Sequence, residues 1–170
     1  MTFKIAIVGP ESTGKTTLAI AIGTSLNVPV VREFARQYLE DRDGEYEEDD
    51  LIEIAKGQLL LEAEGLKGNP EIIICDTNVL EIEAWGLFKY KRTDPLVKKM
   101  SSTSSYDLYL LSYPDLPWVK DPLRENQHDL MELFELYRQL LKERKLKHFI
   151  VRGTGDLRLV NALEAIKKLK

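Results

Sequence analysis

Residues 9 to 16 read Gly9-Pro10-Glu11-Ser12-Thr13-Gly14-Lys15-Thr16 and match G-x-x-x-x-G-K-[ST] at every fixed position. The chemistry of such a string is phosphate binding. Gly9 and Gly14 let the backbone fold back, so that the N–H groups running through Glu11, Ser12, Thr13 and on to Thr17 converge on a phosphate oxyanion. Lys15 would neutralise the β- and γ-phosphates. Thr16 offers a hydroxyl to Mg²⁺, which offsets the charge that shifts during phosphoryl transfer.

A second group is Asp76, which ends the apolar run Ile72-Ile73-Ile74-Cys75. In open α/β sheets ligands bind beyond the carboxyl ends of the strands, so this acid should emerge beside the phosphate loop. There it can hold Mg²⁺ or take a proton from a nucleophilic hydroxyl, and the sequence does not separate the two roles; as a plain helix N-cap it would have neither. A third cluster, Arg32-Glu33-Phe34-Ala35-Arg36, follows the apolar segment ending at Val31. Glu33 is a candidate general base and Arg36 a candidate anchor for a polar acceptor group, against an ion pair serving only a helix N-terminus. A fourth stretch, Tyr113 to His128, carries Pro114, Pro117, Pro122, Trp118, Lys120, Asp121 and Arg124. Lying between a strand and a helix, it could cover the site, with Arg124 reaching the transferred phosphoryl group; an ordinary surface loop would have the same prolines.

These residues need a scaffold of alternating strands and helices. Five strands are expected at Phe3 to Val8, Val28 to Val31, Ile72 to Cys75, Asp107 to Leu111 and His148 to Val151. Helical spacing fills the intervals, through Leu18, Ala21, Ile22 and Leu26, through Leu51, Ala55, Leu59, Ala63 and Leu66, and through Leu130, Phe134, Tyr137 and Leu141. Such alternation implies a parallel sheet covered on both faces. Acids from Glu45 to Asp50 suit a helix start, and Lys167, Lys168 and Lys170 a helix end.

At 170 residues the chain is expected to form one α/β domain, residues 1–170, burying roughly two-thirds of its unfolded surface. A net charge of -4 argues against a general nucleic-acid or anionic-membrane binder, so an anionic ligand must be met locally. One cysteine, Cys75, excludes an internal disulfide or a cysteine metal cluster. His128 and His148 lack metal-ligand spacing. No run approaches the roughly 20 apolar residues of a membrane span, and Met1 to Val8 lacks signal-peptide features, so a cytoplasmic location is expected.

The loop with its Pro-Glu-Ser-Thr filling, Arg32-Glu33-Phe34-Ala35-Arg36, Asp76-Thr77-Asn78, Tyr106-Asp107-Leu108-Tyr109 and Pro117-Trp118-Val119-Lys120-Asp121-Pro122-Leu123-Arg124 together resemble the NadR-type ribosylnicotinamide kinase domain. They occur in that family's order across most of the chain. The resemblance implies a three-layer P-loop NTPase fold of the nucleoside-kinase type, with sheet order 2-3-1-4-5. It also implies ATP- and Mg²⁺-dependent phosphorylation of nicotinamide riboside to its mononucleotide. On that footing Asn78, Trp85, Trp118 and Asp121 join Glu33 and Arg36 as candidate acceptor contacts, and Gly153-Thr154-Gly155 with Arg158 stands where similar kinases place the donor adenine. Asn78 replaces an expected second acid and Pro122 an expected glycine, which bears on acceptor recognition and lid flexibility. No His-x-Gly-His nucleotidyl-transfer motif is present, so a following adenylyl transfer would need a separate protein, and no Asn-Lys-x-Asp signature favours GTP over ATP. The loop and carboxylates alone would equally serve a kinase of another nucleoside or small alcohol, or a nucleotide-dependent regulator. Oligomeric state is not encoded in these patterns.

Overall fold

Five short apolar strands lie side by side in the order β2-β3-β1-β4-β5, all parallel. The computed structural model describes residues 1–169. The strands are β1 (Phe3–Val8), β2 (Val30–Val31), β3 (Ile72–Asp76), β4 (Leu108–Ser112) and β5 (His148–Val151). Between and after them run α1 (Lys15–Leu26), α2 (Phe34–Glu40), α3 (Asp50–Gly65), α4 (Val79–Tyr90), α5 (Pro95–Thr103), α6 (Leu130–Glu143) and α7 (Gly155–Lys167). Parallel strands need crossovers, and each crossover carries a helix onto a sheet face.

Alternation along the strands divides the core in two. Ile5 and Ile7 of β1, with Ile72, Ile74, Leu108 and Leu110, face Leu18, Ala19 and Ile22 of α1 and Ala162, Ala165 and Ile166 of α7. Ala6, Val8, Tyr109 and Leu111 point the other way, onto Leu80 and Ala84 of α4 and Leu133, Phe134, Tyr137 and Leu141 of α6. Because both faces are covered, the central strands are mostly apolar, with Lys4, Asp76 and Ser112 near their ends. The result is the three-layer P-loop NTPase fold implied by the resemblance.

Strand ends differ from the sequence pattern for local reasons. Val28 is not in β2, because its N–H closes α1 on the Gly23 carbonyl at 2.9 Å and Pro29 has no N–H to pair. Asp107 precedes β4: its carboxylate accepts the Lys4 N–H at 2.7 Å and its own N–H donates to the Lys4 carbonyl at 2.8 Å. In α3 the buried stripe is Leu51, Ile54, Ala55, Gln58 and Glu62, and Ala63 is exposed. Glu62 can be buried because Lys4 Nζ lies at 3.1 Å and the Tyr106 hydroxyl donates to it at 2.6 Å, while Gln58 accepts the Phe34 N–H at 2.9 Å. Helix α5 is an element that the apolar spacing did not reveal; Asp94 caps it through the Leu96 N–H at 2.7 Å and Pro95 opens it. Lys167 closes α7 and Lys168 is its C-cap, whereas Lys170 lies outside the described residues. Among the described residues no helix is long and apolar enough to cross a membrane.

Candidate active site

The loop between β1 and α1 turns back on itself at two left-handed glycines, Gly9 at φ 139 and Gly14 at φ 72. At Gly9 a Cβ would meet the Ser112 carbonyl oxygen at 2.8 Å, so the loop lies against the end of β4 only because no side chain intervenes. Ser12 also has positive φ, and Thr13 ties the loop internally by donating its hydroxyl to the Pro10 carbonyl at 2.7 Å. Lys15 folds over this cradle and donates to the carbonyls of Gly9 at 2.8 Å and Pro10 at 3.0 Å.

Three carboxyl groups surround that ammonium. Asp76 ends β3, Glu33 precedes α2, and Glu81 lies in the first turn of α4 with Oε1 3.2 Å from Lys15 Nζ. Burial works to lower the basicity of Lys15, yet Glu81, Glu33 and Asp76 together hold its pKa above the usual lysine value. Burial raises the Glu33 carboxyl, with Lys15 pulling against it, and raises Asp76 against the opposing pull of the Thr16 hydroxyl and Lys15. Glu81 is pushed by burial up to about 8. Burial thus favours the protonated form of each carboxyl while the lysine keeps its charge, a combination that concentrates at functional sites.

Residues 113–128 lie between β4 and α6 without regular structure and dock onto the loop. Glu11 Oε2 accepts the backbone N–H groups of Glu125 at 3.1 Å and Asn126 at 3.0 Å, and Oε1 accepts the Asn126 side-chain amide at 3.3 Å. Ser12 Oγ accepts the Val119 N–H at 2.8 Å. Arg124 donates to the Val119 carbonyl and reaches Ser12 Oγ at 3.5 Å. Asp121 receives Arg36 at 3.0 Å and the Leu123 N–H at 3.0 Å; the latter bond, then the guanidinium, holds its carboxyl below the usual range. Further out, Glu125 pairs with Lys89, whose ammonium also meets Tyr46, and Tyr46 packs on Trp85 with ring centroids 4.6 Å apart.

Of the residues singled out from sequence, the loop from Gly9 to Thr17 lines one cleft together with Glu33, Arg36, Trp85 and Arg124. Asp76 is buried beneath it. Asn78 does not face the cleft: it is buried as the N-cap residue of α4, its amide 3.5 Å from the Tyr109 hydroxyl. Trp118 sits on the covering segment with the Arg124 guanidinium 6.0 Å from its ring. Arg158 is drawn inward, donating to Asp115 at 2.7 Å and to the carbonyls of Gly153 at 2.9 Å, Thr13 at 2.8 Å and Tyr113 at 3.0 Å. Its side chain is 5% exposed and clamps the phosphate loop to the turns after β4 and β5. Glu81 was not singled out from sequence, although its place five residues after Asp76, in the first turn of the next helix, was a usable signal.

For a divalent cation the donor set is small but suitable. The Thr16 hydroxyl lies near enough to Asp76 to oppose the burial that raises its carboxyl, and the buried Oδ1 of Asp76 has no protein partner. Among the described residues no group of three or more His, Cys, Asp or Glu side chains converges on one point, so phosphates and water would complete the coordination, as is usual for Mg²⁺.

A family model described as an AAA domain matches residues 4–158. The trifunctional NAD biosynthesis/regulator protein NadR of Salmonella typhimurium is 26% identical over 97% of this chain, and the match spans 42% of that relative's length. A crystal structure of NadR with NAD and AMP-PNP superposes with a TM-score of 0.84 at 25% identity, covering 99% of this chain and 49% of that one. A second, of NadR with NR, gives 0.81 at 25% identity over 99% of this chain and 50% of the other. The chain thus spans about half the length, or less, of the relatives it matches.

Proposed function

The chain belongs to the AAA-domain family, and from that premise we propose that it is a nucleoside kinase that transfers the γ-phosphoryl group of ATP to nicotinamide riboside. The observation that carries this reading is the convergence on one cleft of a phosphate loop, its lysine and two further carboxyl-bearing residues, Glu33 and Glu81, beneath a docked covering segment. Similarity to a NadR chain whose crystal structure holds NR supports the choice of acceptor. Chemistry on the page points the same way, since nicotinamide riboside carries a cationic pyridinium and the cleft opposes it with acids and the face of Trp85.

In the transfer, the primary hydroxyl oxygen of the acceptor forms a bond to the γ-phosphorus, the bond from that phosphorus to the β–γ bridging oxygen breaks, and ADP departs. Glu33 is assigned the hydroxyl proton: burial makes its carboxylate a stronger base than a solvated one. Lys15 and the loop N–H groups hold the phosphates, and Arg124 meets the charge on the γ-phosphoryl group from the covering segment. Thr16 and Asp76 would hold Mg²⁺, which would supply positive charge to offset that of the phosphates.

ADP release measured with nicotinamide riboside, uridine, cytidine and thymidine tests the proposal. Nicotinamide riboside should stimulate it most. Equal stimulation by all four, or by none, would remove the acceptor assignment while leaving nucleotide binding intact.

A further inference from the structure

Glu81 has no part in the scheme above, and its surroundings are not those of a structural acid. The side chain lines the cleft one helical turn before Trp85, so the two share a face of α4. Its Oε1 is 3.2 Å from Lys15 Nζ, and its Oε2 is buried with no protein partner. A buried polar oxygen without a partner is unfavourable, and this one sits beside two further acids. Glu83 on the same helix also leaves one oxygen unpartnered, but it pairs with Arg144, whereas Glu81 lies in the cleft against the phosphate-loop lysine.

The lysine explains how such an arrangement can be used. An ammonium has three donors, and those of Lys15 are directed at Gly9, Pro10 and Glu81. Two of these partners belong to the loop itself; Glu81 comes from another element and is the most distant of the three. A phosphate oxygen arriving at Lys15 must displace one partner, and Glu81 is the one that can be given up without unfolding the loop.

We propose that Glu81 is an acceptor-binding residue whose availability Lys15 controls: without donor nucleotide Lys15 holds it, and donor phosphate draws Lys15 away and frees the carboxyl for the ribose hydroxyls of the acceptor. This rests on the kinase reading and deepens it. Donor and acceptor sites are then coupled through one side chain, and coupling of binding free energies is reciprocal. Glu81 supplies a hydrogen-bonding partner in either protonation state, so the exchange does not depend on its titration.

The test is calorimetry on the full chain with AMP-PNP and nicotinamide riboside, singly and together, with Mg²⁺ present. In the parent, AMP-PNP should tighten nicotinamide riboside by about fivefold or more. In Glu81→Ala the riboside should bind the AMP-PNP complex roughly tenfold or more weakly and the coupling should fall to about twofold or less, while AMP-PNP alone binds more tightly because Lys15 has no contact to break. Glu81→Gln, which keeps the volume, should change both affinities in the same opposite directions by smaller factors. Parallel weakening of both ligands, or an unchanged riboside affinity in the ternary complex, overturns the proposal. If the parent takes up no riboside, the acceptor reading has failed by itself, and AMP-PNP decides: tighter binding in Glu81→Ala keeps the exchange at Lys15, and equal or weaker binding removes it.

Discussion

Glu11 and Asn126 are 115 residues apart in the chain, yet Glu11 Oε2 accepts the Asn126 N–H at 3.0 Å and Oε1 accepts its side-chain amide at 3.3 Å. A variable position of the phosphate loop is thereby the seat on which the covering segment rests. Its carboxylate would repel phosphate, and its oxygens are engaged by the N–H groups of Glu125 and Asn126 and the Asn126 side-chain amide.

Glu11→Ala should loosen the segment without disturbing the sheet. The carboxylate receives two backbone N–H bonds in a partly exposed setting, so the segment's opening should become easier by about 1 kcal/mol, or roughly fivefold to tenfold. Hydrogen exchange at Glu125 and Asn126 is the readout, with β1 and β3 as internal references. Unchanged exchange at both amides would separate Glu11 from lid closure.

Arg124 touches the loop through Ser12 at 3.5 Å, so its guanidinium is delivered by the segment's docking. Arg124→Ala should lower kcat by about 10² to 10⁴, less than a pure transition-state arginine because some contact exists beforehand. Arg124→Lys should recover little, since a point charge cannot reproduce a planar fork. Losses below about tenfold in both would leave Arg124 a surface residue of the segment.

Glu33 and Asp76 should separate in a Mg²⁺ titration. Asp76→Asn removes the buried oxygen that lacks a partner and should raise the Mg²⁺ requirement, whereas Glu33→Gln should lower kcat at saturating metal. The reverse pattern would exchange the two assignments.

Arg158→Ala should act on stability before activity. It removes donors from three carbonyls and from Asp115, and loss of one partner from such a buried cluster costs about 3 kcal/mol. Thermal unfolding should shift downward by several degrees, and nucleotide affinity should fall only as the loop loses its support. A raised ATP KM with an unshifted Tm would return Arg158 to the donor base.

Stability should rise as pH is lowered from above 8 toward 5. Glu81 titrates near 4.5 when unfolded and is pushed up to about 8 by burial in the folded chain. Between those values the folded state binds the extra proton, so its contribution is fully present below the unfolded pKa and is lost as pH rises through the folded one. Burial raises Glu33 and Asp76 in the same sense. Comparison of Tm at about pH 6 and about pH 8.5 should show a higher value in acid, and Glu81→Gln should flatten the difference. An equal slope in the variant would place the titration elsewhere.

Local pattern determined a large part of this protein. The phosphate loop is nearly contiguous, and its two glycines announce the conformation that they adopt at φ 139 and 72. β1 and β5 begin and end where the sequence pattern placed them, although Lys4 and His148 interrupt the apolar runs. Alternation of strand and helix foretold a parallel sheet, although its order came from the family resemblance. Composition alone did not rank one strand beside another.

What tertiary structure decided are the contacts between segments far apart in sequence. No spacing rule links Lys15 to Glu81, Glu11 to Asn126, or Arg158 to Thr13, since each pair meets only after two or more elements have packed. Burial, too, is a property of the packed chain: Glu45 is exposed, whereas the cleft removes water from Glu81 and raises its carboxyl. Arg158 shows the consequence most plainly. Its sequence neighbourhood suggested a ligand contact, but four oxygens brought together from the phosphate loop, the turn after β4 and the turn after β5 claim its guanidinium, and only the fold could assemble them.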